Sequence, residues 1–200
     1  AMNATQLGAL STAQIAALSA TGIQSLTVTE LAALSTRQLA AMTAAQFGSL
    51  TTTQIQSLTE AQLGVLTTTE WSGLTETQLA ALSMAQIAAL DPTQIASLST
   101  TAISGFTATQ LNELSETKLK ELTPTQIGAL TPTQLGVLST TQVSALTATQ
   151  VKGLTKTEIA ALATTQIAAL SATQLAALSA AQIGSMTSTG VAALTPAQLG

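Results

Sequence analysis

Hydroxyls and carboxamides are the polar side chains that recur along this 200-residue chain, and they stand three residues apart: Ser or Thr, two variable residues, then Gln or Glu. Acid–base chemistry would need two convergent carboxylates or a histidine, and neither pattern is present. Glu70 and Glu158 stand singly where other copies of the pattern carry Gln. There is no His, no Cys and no Tyr, which removes the commonest general base, the thiolate nucleophile and the best transition-metal ligands together. The sequence therefore predicts no enzyme: no catalytic residue, no cofactor site and no metal site.

Charge narrows the partners. Charged residues make up 7% of the chain, against about 25% in ordinary globular domains, and the net charge is −4. Phosphate backbones require a dense Lys/Arg surface, so no nucleic-acid partner is expected. The densest charges, in NELSETKLKEL at 112–122, are Glu113, Glu116, Lys118, Lys120 and Glu121. Their mixed signs read as a solvated face with local ion pairs, with Glu113, Lys120 and Glu121 outward. Threonine offers the one other surface chemistry, in the repeated TPT, TAT, TET and TKT. Regular hydroxyl rows can meet ice or a carbohydrate. Here Ser often replaces the first Thr and Ala the second, which favours a structural use.

That structural use is the capping box, in which a Ser/Thr at the helix N-cap accepts from the N3 amide while Gln/Glu at N3 reaches back to the cap N–H. The box recurs every eight residues without insertion or deletion. Leu, Met or Phe precedes each cap, from Met2 and Leu10 to Leu194, and a second apolar residue follows at N4, from Leu7 to Leu199. The two form the halves of a hydrophobic staple. The organisation is thus one uninterrupted array over 1–200, with 24 full octads at 3–194 and a partial one at 195–200, read as a piece of a longer array. Pro92, Pro124, Pro132 and Pro196 all fall at N1, where a missing N–H costs nothing. Ala163 is the one cap without a polar side chain, and Gly22, Ala102, Lys118 and Gly190 replace the N3 residue.

The fold class predicted is all-α: a solenoid or superhelix of very short helices, one per octad. The alternative is a β-solenoid, but Ala and Gln are weak strand residues and a 5-then-3 apolar spacing is not alternation. One long helix is excluded, because eight residues rotate the Leu row by about 80° per octad and leave no seam. Helices this short are unstable alone, since about 12–15 residues are needed for marginal stability, so octads must stack. The small residues at N5 and N6, Ala-Ala or Gly-Ala in many octads, permit close approach. A stack of two octads per turn, with antiparallel helices in two layers, is the arrangement expected. In the stretch LTPTQIGALTPTQLGVL, Thr123, Gln126, Thr131 and Gln134 are assigned as structural caps. Leu122, Ile127, Leu130 and Leu135 are assigned to the core, as is Trp71 in the N4 row. Met84, at N1, is expected to be exposed.

Every apolar run is broken by Ser, Thr or Gln well short of the roughly 20 residues a spanning helix needs, so no membrane insertion is expected. Written as L-(S/T)-x-x-Q-(I/L)-x-x, the whole chain resembles the Ala/Thr/Gln-rich octapeptide arrays of very long bacterial proteins labelled adhesin or haem utilisation. That resemblance implies a structural spacer, stalk or scaffold on an extracellular or cell-surface protein. Its partners would be flanking domains of the same chain, or further copies joined end to end. A binding module for carbohydrate, ice or self is the alternative. Haem use gains nothing from the residues, since only Met remains among the usual axial ligands. The phrase LTPTQI also looks like the opening of the DNA-reading repeats of TAL effectors. Those are much longer and basic, so the likeness is shared helix-start chemistry.

Overall fold

The structure is a computed structural model that describes residues 3–199. Among the described residues it is all-α, a solenoid of short helices running from Ala4–Gly8 to Pro196–Leu199 with no strand between them. Each helix has four to six residues. Every one from Ala4–Gly8 to Ser188–Ala192 starts at an extended residue in the cap position, as at Asn3, Thr51 and Thr147. At most caps the side chain then accepts from the N3 amide: Gln54 N–H donates to Thr51 Oγ1 at 3.2 Å, and Thr51 N–H donates to Gln54 Oε1 at 2.7 Å. Thr67 instead accepts from the N2 N–H of Thr69 at 3.3 Å, and Ala163 has no side-chain acceptor. Where N3 has no amide side chain, the first half of the box persists, as between Gly22 N–H and Ser19 Oγ at 3.0 Å.

Most of the helices end the same way. The N–H of the Leu-row residue donates to the N4 carbonyl three residues back, as from Leu58 to Ile55 at 3.2 Å. At Leu58 the backbone is extended, with φ −70° and ψ 131°, and this turns the chain directly into the next cap. The bend needs no glycine, because its pivot is a Leu in an ordinary β conformation. Through it, both apolar residues of an octad face inward. Ile55 and Leu58 are buried, as are Leu119 and Leu122, while caps and N1 residues lie toward solvent.

The chain packs as two compact units, Ala1–Gly105 and Phe106–Gly200, and the same stacking rule operates inside each. In the first, helix Ala44–Gly48 packs on Thr68–Ser72, and Thr52–Ser57 on Glu76–Ala81. In the second, Pro124–Ile127 packs on Ala148–Lys152, and Ala148–Lys152 on Ala172–Ala177. Neighbouring helices are therefore three octads apart. This corrects the expected two-per-turn, two-layer stack: a turn closes between three and four octads. The coil buries the N4 and Leu-row side chains of its inner octads, while Ile183, Val191 and Leu199 in the last octads stay exposed.

Candidate functional site

The side chain with the richest polar geometry is the N3 glutamine. Its Oε1 accepts from its own cap N–H, and its Nε2 reaches four octads back to the carbonyls at a helix end. Gln78 Nε2 donates to the carbonyls of Phe47 at 3.0 Å and Leu50 at 2.7 Å. Gln150 repeats this with Leu119 at 2.8 Å and Leu122 at 2.7 Å, and Gln166 with Leu135 and Leu138, both at 2.8 Å. A helix leaves unpaired N–H groups at its start and unpaired carbonyls at its end. One carboxamide satisfies some of each, at two places in the coil, and so joins successive turns.

Most of these amides are buried: Gln78 and Gln150 are each 2% exposed. Removing them from water is tolerable only because they are fully bonded. Gln62 is the informative exception. It closes its capping box, with Thr59 N–H donating to Oε1 at 3.0 Å, but it is half-buried and makes no bond to an earlier turn.

The residues assigned in the 122–138 stretch take these positions. Thr123 N–H donates to Gln126 Oε1 at 2.8 Å and Gln126 N–H to Thr123 Oγ1 at 3.2 Å. Thr131 and Gln134 do the same at 2.7 and 3.2 Å, and Gln134 Nε2 also donates to the Phe106 carbonyl at 2.7 Å. Leu122, Ile127, Leu130, Leu135 and Trp71 are buried. Trp71 packs edge-on against Phe47, ring centroids 5.6 Å apart, and its indole N–H has no hydrogen-bond partner. A capping box explains Gln at N3 equally with Glu. The inter-turn bond was not read from the sequence, yet a signal was there: eighteen N3 residues are Gln and three are Glu, although Glu suits a helix N-terminus better. The excess of Gln marks use of the NH2 group.

The carboxylates show the contrast. Glu70 accepts from the Thr67 N–H at 2.7 Å, and Glu158 from the Thr155 N–H at 2.5 Å; both are buried. By the register of the neighbouring octads they stand opposite Leu39 and Met42, and opposite Ile127 and Leu130, where a carboxylate has no hydrogen to give. Glu30 is more open. The Thr27 backbone N–H, at 2.7 Å, and then the Thr27 hydroxyl, at 2.9 Å, hold its carboxyl below the usual range.

On the outside, the N2 residue is exposed in every described octad, and it is Thr in most, including an unbroken series at every eighth position from Thr93 to Thr173. In the charged stretch Glu113 and Lys120 are exposed. Glu121, expected outward, is half-buried, and its carboxylate pairs with Lys118 Nζ at 2.9 Å along one helix face. Met84 likewise is half-buried and not exposed. Among the described residues no group of three or more His, Cys, Asp or Glu could hold a metal ion, and no helix is long and apolar enough to cross a membrane.

A family profile described as the ALTTAQ repeat matches residues 29–60, 119–156 and 159–196, more than half of the chain. The chain belongs to the ALTTAQ repeat family. No curated protein matches it. The ALTTAQ pattern runs across an octad junction, as in its variants Ala9-Leu-Ser-Thr-Ala-Gln14 and Ala145-Leu-Thr-Ala-Thr-Gln150: small residue, Leu-row residue, cap, N1, N2 and the N3 glutamine. The repeat is thus defined by the residues that bend, cap and join the turns. Membership supports the short-helix repeat architecture without bearing on adhesion or haem.

Proposed function

We propose that this ALTTAQ array is a structural spacer or scaffold segment of a bacterial secreted or surface-exposed repeat protein, holding flanking domains of its chain apart. The observation that carries the reading is the glutamine link. In most octads the buried polar side chain is engaged with backbone groups of its own helix start and of a helix end four octads earlier, as at Gln78, Gln150 and Gln166. What each octad then supplies is length. The test is a series of arrays differing by whole octads, with a fluorophore at each end. A spacer gives an end-to-end distance rising steadily with octad number, while a distance independent of octad number overturns the reading.

A second reading rests on the exposed N2 threonines, which could bind a carbohydrate, ice or another copy of the chain. Replacing the N2 threonines from Thr125 to Thr173 by Ala leaves caps and core untouched. If adhesion, ice-growth inhibition or end-to-end association of the array is lost while helical circular dichroism is kept, the surface is a binding site and not only a spacer wall.

A further inference from the structure

The octads are alike in sequence pattern, but their contacts are not interchangeable. Position N6 faces the N1 carbonyl of the octad three earlier: Ser49 Oγ donates to the Ala20 carbonyl at 3.0 Å. At Gly73 the turns come closer, and a Cβ there would lie 2.2 Å from the Ala44 carbonyl oxygen. Gly105 repeats this against the Glu76 carbonyl oxygen at 2.1 Å, and Gly153 against that of Pro124 at 2.4 Å in the other compact unit. All three contacts are with backbone, which cannot swing aside as a long side chain can. At two of them the fit is reciprocal. A Cβ on Gly48 would lie 2.5 Å from the Gly73 carbonyl oxygen, and one on Gly128 would lie 2.4 Å from that of Gly153. Glycine partners thus occur twice, each pair at N5 of one octad and N6 of the third octad after it. The Phe47–Trp71 pair spans the same three-octad interval.

From these close approaches we infer that the N6 glycines, two of them facing a glycine at N5, are a register key: they fix which octad lies on which, so the number of octads between partners is not free to vary. Ordinary octads, with Ala or Ser at N6, accept one another at a wider spacing and carry no such information. In an array whose units are otherwise equivalent, looping out one octad would cost only that octad's own contacts. A key raises the cost by bringing a Cβ to a place with room only for hydrogen.

Deletions in the full chain test this. Removing residues 59–66 keeps the eight-residue repeat but brings Ala81 to the place over Ala44 that Gly73 held. Removing residues 35–42 is the control, since no glycine pair brackets that octad. The urea midpoint, followed by helical circular dichroism, falls further for the first deletion than for the second. Adding Ala81→Gly raises the midpoint in the 59–66 deletion and lowers it in the intact chain, where Ala81 ends a helix and glycine only weakens it. Equal midpoints for the two deletions, or the same sign for Ala81→Gly in both backgrounds, overturn the inference. Should the deletion not fold, point substitutions in the intact chain decide. Gly64, with open space at its Cβ, gains stability as Ala, whereas Gly73→Ala loses it. Equal effects at the two sites refute the key.

Discussion

Changing Gln150 to Glu isolates the link between turns. The substitution keeps the shape of the side chain and the oxygen that accepts from Thr147 N–H at 2.8 Å, so the capping box survives. It replaces the NH2 that donates to the Leu119 and Leu122 carbonyls at 2.8 and 2.7 Å with an oxygen facing two oxygens. Leu119 keeps a second donor, the Leu122 N–H at 3.3 Å, so its loss is partial. The Leu122 carbonyl loses the donor the link supplied, in a place where Gln150 is only 2% exposed. An unsatisfied buried group costs about 1–3 kcal/mol, and a buried carboxylate adds to that unless it turns outward. The expected destabilisation at neutral pH is ~2–4 kcal/mol. Urea unfolding followed at a helical circular dichroism band measures it.

Gln62 is the matched control, with the cap bond and no link to an earlier turn. Gln62→Glu should stay within about 0.5 kcal/mol of the parent, as surface substitutions usually do. If the two variants lose equal stability, capping alone explains the N3 glutamine, and the account of how turns are joined is wrong.

Other outcomes follow from the same geometry. Glu70→Gln should raise stability by about 1 kcal/mol, because it places a donor opposite the Leu39 and Met42 carbonyls; no gain in the same urea assay would contradict the register. Thr123→Ala and Thr131→Ala each remove an N-cap acceptor and should cost about 1 kcal/mol apiece, roughly additively in the double variant. Glu30 has a carboxyl held below its ordinary pKa by Thr27, so its contribution is present above the unfolded carboxylate range and is lost as pH falls through the lower folded value. The acid limb of the stability profile should therefore flatten slightly in Glu30→Gln, and an unchanged limb would show that the Thr27 contact does not persist in solution.

The parts legible in the sequence are those whose physics is local. A cap, its N3 partner and the two staple residues lie within six positions, so the box at Thr123 and Gln126 and the burial of Leu122 and Ile127 follow from spacing alone. The number of octads per turn depends on contacts such as Gln150 with Leu119, thirty-one residues apart, between residues that look the same in every octad. Periodicity cannot choose among equivalent neighbours. Only the departures from the pattern distinguish one octad from another, and those that bear on which octad lies on which are few: the N6 glycines at 73, 105 and 153, with glycine partners at 48 and 128, and the Phe47–Trp71 pair.

The same geometry explains how helices of four to six residues persist. A helix this short has no interior: nearly all its N–H groups are first-turn groups and nearly all its carbonyls are last-turn groups. In a long helix, caps correct the two ends of a large object. Here the ends are the whole object, and a side chain that serves one end leaves the other unpaid for in hydrogen bonds. Glutamine has an acceptor and a donor at its tip, so it can close its own helix start while closing a helix end in the turn before, as Gln78, Gln150 and Gln166 do. Glutamate offers only acceptors. That difference in one atom accounts for the predominance of Gln at N3, and it is why the link, more than the cap, determines whether short helices can be stacked into a coil.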